Sequence, residues 1–239
     1  MTMPMTPRFE ALNAQRHAGW RLGPHAGYGF LRRLSAVEVM VHECHRVACD
    51  LPLFWSATDT DTLGLSAVPV PGSDWPVDEN DEWTGTYLPL LLRTYPFVPG
   101  TLKEQGVGAY VDINSPMVSP PEEDRGDGWH VWFDGKGRVS PALEAVLEVL
   151  RGVHRARQET ASLGRALSQL RLLKPIRVPG ATQQAYSADP AAVHALPPPL
   201  EDVFKRRGWL KALYAQTQSL AHLGINLSFV DEPAVAASI

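Results

Sequence analysis

His42-Glu43-Cys44-His45 packs four side chains that bind metals or move protons into four residues. Zinc sites want converging ligands, commonly at i and i+4 on a helix or as well-spaced Cys/His pairs. His42 and His45 can share a helical face, but Cys44 and Cys49 complete no familiar set, so no metal is expected. Arg93 is the second focus. It stands between the leucine run of YLPLLL and the rigid step Tyr95-Pro96-Phe97. A proline fixes its own φ and favours an extended residue before it. An extended chain here would put Arg93, Tyr95 and Phe97 on one side. An arginine beside aromatic faces can stack on them while its fork grips a carboxylate. The guanidinium is therefore expected to be held rather than fully exposed.

Other chemistry is excluded by what the motifs lack. GWHVWFDGKG has neither the Gly-Lys-Ser/Thr ending of a phosphate loop nor a Gly-x-Gly-x-x-Gly helix entry. There is no Gly-x-Ser-x-Gly elbow. The acidic run Asp78, Glu79, Asp81 and Glu82 lacks the oxygen spacing and central glycine of a calcium loop. No cofactor is expected, and no catalytic set can be assigned.

These residues need elements to position them. RLSAVEVMV (33–41), TLGLSAVPV (62–70), VGAYVDINSPMV (107–118) and GWHVWFDGKGRVS (128–140) read as strands. HECHRVACDLPLFWS (42–56) reads as a short helix running into a strand, with its break near Asp50. Residues 71–83 form a turn-rich acidic loop. Ser140-Pro141 supplies a helix start. Leu143, Val146, Leu147, Leu150 and Val153 follow at helical spacing, then Leu163, Ala166, Leu167, Leu170 and Leu173, with Pro175 as the stop. Residues 200–207 form a short helix broken by Gly208. The final helix, 209–224, carries Leu210, Leu213, Thr217 and Leu220 on one side. Strands first and helices later predict an α+β fold, with a mixed or antiparallel sheet packed against C-terminal helices.

The chain has 239 residues, 44% apolar and 20% charged, ordinary for a globular protein. Its net charge of −4 argues against a general nucleic-acid binder. No apolar run reaches the length of a membrane span. The first twenty residues hold two prolines, an acid and no apolar core segment, so no signal peptide is expected. Cys44 and Cys49 read as free, reduced thiols, which suits the cytoplasm.

Several phrases in order resemble the SapC family of bacterial proteins. They are VHECHRVACDLPLFWS, YLPLLLRTYPF, WFDGKGRVSPALEAVLEVL, TASLGRALSQLRLLKP and RGWLKALYAQTQSLAHL. Thr94 stands where the family often has a second arginine, and Leu51 where it usually has tyrosine. The resemblance implies one domain over residues 33–225, preceded by a loop-rich arm (1–32) and followed by a tail (226–239). It also marks out Glu43 as the acid to set against Arg93. Glu43, Arg93, Tyr95 and Phe97 are thus the candidate residues, as a ligand pocket or a structural ion pair. The family takes its name from a bacterial surface layer. Many members are encoded near outer-membrane transport receptors and proteins like tryptophan halogenase. The expectation is a soluble binding or accessory protein for a small anionic ligand or a protein partner, linked to such uptake or halogenase-like systems. Two alternatives stand beside it: an enzyme using Glu43 and Arg93 on a small anionic substrate, and a surface-layer component.

Overall fold

The computed structural model describes residues 7–58, 62–102, 106–123, 126–178 and 183–225, so the expected tail at 226–239 lies outside the described residues. In chain order the elements begin with β1 (Phe9–Ala11), β2 (Arg21–Leu22), β3 (Val37–Val39), α1 (Cys44–Val47), β4 (Leu53–Ala57) and β5 (Leu63–Ala67). Next come β6 (Phe97–Leu102), β7 (Gly106–Asp112), β8 (Val118–Ser119), β9 (His130–Val131) and the long helix α2 (Pro141–Gln169). The chain then forms β10 (Leu173–Ile176), β11 (Ala185–Ala188), α3 (Pro190–His194), α4 (Pro198–Arg206) and α5 (Trp209–Ser219). Every strand pairing among the described residues is antiparallel, and with the C-terminal helices this makes the fold α+β. No helix among them is long and apolar enough to cross a membrane.

The chain divides into two compact units. The first comprises Met1–Gly29, Asp78–Trp83 and Leu88–Arg157. The second comprises Phe30–Val77, Thr84–Tyr87 and Gln158–Ile239.

The first unit holds two three-stranded sheets, ordered β1-β7-β6 and β8-β2-β9. The stretch read as a loop-rich arm therefore supplies two strands. Both are too short to show a period of two in sequence. Phe97, Val111, Trp132, Phe133, Leu143 and Leu150 form the core. Leu143 and Leu150 belong to the stripe read from the sequence, and Ser140 Oγ accepts from the Leu143 N–H at 3.3 Å at the helix start. His17 is fully buried in this unit, with ring centroids 5.2 Å from Trp20 and 5.6 Å from Trp132. Its Nδ1 lies 3.1 Å from both the backbone N and O of Asn13, while its Nε2 has no partner.

The second unit is built on one sheet ordered β10-β11-β4-β5-β3. The β4–β11 ladder is only two pairs long, Ser56 with Ala185 and Trp55 with Tyr186. Beyond it the strands part, and the side chain of Gln216 from α5 fills the seam. Its Nε2 donates to Leu53 O at 2.9 Å, and its Oε1 accepts from Ala188 N at 3.0 Å and from Ser187 Oγ at 3.4 Å. Ser219 Oγ accepts from the Leu53 N–H at 2.9 Å. Buried backbone groups must find partners, and here a helix supplies what the strands do not. Leu210, Leu213, Thr217 and Leu220 are all buried, as their spacing predicts.

One continuous helix, α2, carries the first apolar stretch and, of the second one before Pro175, Leu163, Ala166 and Leu167, while Leu170 falls in the turn that follows and Leu173 in β10. It closes before that proline. Arg171 adopts φ 54°, its N–H bonds to Ser168 O, and the Leu172 N–H reaches back to Leu167 O at 2.9 Å. This left-handed cap normally favours glycine, which the sequence does not offer here. Pro175 instead lies in the edge strand β10, where a missing N–H is tolerated. Gly164 of α2 lets the helix backbone approach β5, because a Cβ there would collide with the carbonyl oxygen of Leu63. Gly208, at φ 69°, separates α4 from α5 as expected.

Two outcomes follow. Gln216→Leu strands the Leu53 carbonyl and the Ala188 N–H, and denaturant unfolding should show a loss of roughly 3 kcal/mol or more. The control Gln218→Leu on the exposed side of α5 should change stability by less than about 0.5 kcal/mol. Burial lowers the pKa of His17 from its ordinary 6.5, with Asn13 and Glu10 opposing and Arg16 assisting. The unfolded chain then binds the extra proton, so stability is full above that ordinary value and declines as pH falls toward the lowered native one. The drop in urea midpoint between pH 7 and pH 5 should be smaller in His17→Gln than in the parent chain.

Candidate functional site

YLPLLLRTYPF divides its work. Tyr87 belongs to the second unit, where the Arg46 guanidinium lies 5.3 Å from its ring centroid. The rest belongs to the first. Residues 90–94 wind into a 3-10 turn, so the extended stretch starts at Tyr95 and does not include Arg93. Arg93 is exposed and folds back on its own turn, its Nε and Nη2 donating to Leu88 O at 3.0 and 2.9 Å. The expectation of a guanidinium aligned with the two aromatics therefore gives way to a loop clasp, because five residues of turn re-aim the side chain.

Tyr95 and Phe97 part company. The Tyr95 hydroxyl donates to Asp112 Oδ2 at 2.8 Å. Asp112 is buried, and its Oδ1 accepts the N–H of Arg8 at 2.8 Å and of Asn114 at 3.1 Å. One carboxylate thus ties the start of β1, the Tyr-Pro-Phe step and the turn after β7. Phe97 is fully buried in the core, 5.3 Å from Trp132 centroid to centroid. The peptide bond between Tyr95 and Pro96 is cis.

Glu43 lies in the second unit, 1% exposed, at the start of α1. Its Oε1 accepts the Met40 N–H at 2.9 Å. Cys44 is also buried, and its thiol donates to Ala212 O at 3.2 Å. Burial, reinforced by the charge of Glu43, pushes that thiol far above its ordinary pKa, so it is no nucleophile. Among the described residues no group of three or more His, Cys, Asp or Glu side chains is placed to hold a metal.

The contact of Cys44 with Ala212 seats α1 against α5, and the outer side of this pair forms a groove of about 680 Å³. His45, Cys49, Lys211, Tyr214, Gln218 and His222 supply its polar lining. Ala48, Leu210 and Ala215 supply apolar wall. His222 Nε2 lies 3.3 Å from Ala48 O and closes one end. His45 has its pKa lowered first by partial burial and then by the nearby charges of Lys211, Arg46 and His42. A smaller hollow of about 310 Å³ lies on the sheet face, lined by Ser35, Glu38, Ser56, Thr58 and Ser66 among others.

The SapC family matches this chain over residues 12–224. The chain belongs to the SapC family. No curated protein and no solved structure matches it.

Two features of this SapC chain escaped the sequence reading. HAGYG (25–29) forms a loop in the first unit in which the Tyr28 N–H donates to Asp81 O at 2.6 Å and a Cβ on Gly29 would meet the Asp81 carboxylate. Its close glycines were the available signal. The Tyr28 phenol has its pKa raised by burial and by Glu82, with Arg93 opposing. The groove was not legible either, because Lys211 and His222 are far in sequence from His45.

Tyr95→Phe tests the carboxylate junction. It removes one of the side-chain bonds to buried Asp112 and should cost about 1.5–3 kcal/mol by urea unfolding. An unchanged midpoint would mean that the junction stands without the phenol.

Proposed function

We propose that this SapC-family protein is a cytoplasmic binding or accessory protein whose ligand seat is the α1–α5 groove. The observation that carries this reading is the groove itself. Its volume of about 680 Å³ falls in the range of small-molecule sites, and it combines apolar wall with convergent polar groups. Its cationic lining suits a small anion. A surface-exposed thiol in Cys49 and a buried free one in Cys44 support a reducing compartment. Native mass spectrometry of the protein from its own host should find a retained small molecule. Ala215→Phe, which fills the groove from its wall, should release that mass. A bare chain in the native spectrum, or a bound mass indifferent to Ala215→Phe, would count against the groove.

The coupling of Glu43 with Arg93 is proposed on residue types and motif positions alone. A cycle of Arg93→Met, Glu43→Gln and the double variant measures it. If the two charges support one another, the double variant should lose less than the sum of the single ones by about 1 kcal/mol or more. Additive losses would end that idea.

A further inference from the structure

We infer that the α1–α5 groove binds an amphipathic monocarboxylate, with Lys211 and the imidazoles of His45 and His222 around the carboxylate and Leu210, Ala48, Ala215 and the Tyr214 ring along its apolar body. The inference rests on the groove being a ligand seat, as proposed above, and adds the class of ligand.

The argument begins with charge. Lys211, His45 and His222 face one groove from α5, α1 and the 3-10 turn Leu220–Leu223. Among the described residues none of the three makes an ion pair with a carboxylate of the chain. On the same unit Lys205 pairs with Glu201 at 2.6 Å and Arg207 with Glu159 at 3.5 Å. The groups whose charges act on His45 are Lys211, Arg46 and His42, all of one sign, and Cys49 and Tyr214 complete the titratable lining. An incoming anion meets no carboxylate in this lining.

The number of charges selects a monoanion. Lys211 is the one lysine or arginine in the lining, and partial burial keeps His45 toward its neutral form. One fixed positive charge matches a carboxylate better than a dianionic phosphate. The lining also lacks an arginine, whose planar fork is favoured for phosphate. The wall then selects the body. Leu210, Ala48, Ala215 and the Tyr214 ring offer apolar surface that a small hydrophilic acid would leave wet. Gln218 adds a hydrogen-bonding group that can orient the headgroup.

Benzoate is the probe, with benzyl alcohol as its neutral counterpart and sulfate as the dianion, each titrated into the full chain at pH 6.5 and followed by amide chemical shifts. Benzoate should shift the amides of 45–49 and 210–222 and bind at least tenfold more tightly than either control. Lys211→Met should weaken benzoate about tenfold and leave benzyl alcohol unchanged, with an unaltered melting temperature showing that the exposed substitution leaves the fold intact. Binding of the anion should also raise the pKa of His45, read from its ring carbon shifts. If benzyl alcohol matches benzoate in the groove, the ligand seat stands and the carboxylate assignment falls. Sulfate binding more tightly than benzoate overturns the monoanion. No groove shift with any probe overturns both the class and the seat.

Discussion

Gln216 sits where two strands of the second unit stop pairing. The β4–β11 ladder ends after two pairs, and without a substitute the backbone of Leu53 and Ala188 would be buried with its polar groups unmet. A primary amide meets the need because it carries a donor and an acceptor on one planar head. That head reaches both strands from one position of α5. Ser219, three residues on, takes the neighbouring N–H of Leu53. Once these bonds are made, the orientation of α5 about its axis is fixed. Trp209, Leu213 and Leu220 face inward, and Lys211, Gln218 and His222 face out. The groove on the other side of α5 is a consequence of that orientation.

In the first unit a buried carboxylate has the comparable role. Asp112 gathers the Arg8 and Asn114 N–H groups and the Tyr95 hydroxyl, which come from three separate stretches of chain. The Tyr-Pro-Phe step can therefore be read as a junction: its first aromatic carries a polar tip to Asp112 and its second carries an apolar ring to Trp132. Arg93 serves the same loop, closing the turn on the Leu88 carbonyl. Arg93, Tyr95 and Phe97 thus each make a contact of their own within the first unit.

The same distinction applies to HECH. Cys44 and Glu43 are turned inward, one toward Ala212 and the other toward the Met40 N–H. His45 and Cys49 line the groove. Neighbours in sequence are divided between core and surface by one short helix. A ligand seat then draws on only part of a phrase that looks uniform in chemistry.

The sequence by itself determined most of the helical stripes, the Ser140-Pro141 start, the Gly208 break and the α+β character, because these depend on local periodicity and on backbone limits of proline and glycine, whereas the antiparallel pairing came from the tertiary structure. It also carried the family, through ordered phrases spread along the chain. The end of α2 at Arg171 was not legible, since a non-glycine residue in a left-handed cap leaves no local mark. The 3-10 turn that removes Arg93 from the aromatic line was hidden because proline on either side permits both an extended path and a turn. The partnership of Gln216 with strands more than twenty residues away, the junction at Asp112 and the cationic groove were decided by tertiary structure alone. Each depends on which side of an element meets another, and that is fixed by packing and by the need to satisfy buried polar groups across long stretches of chain.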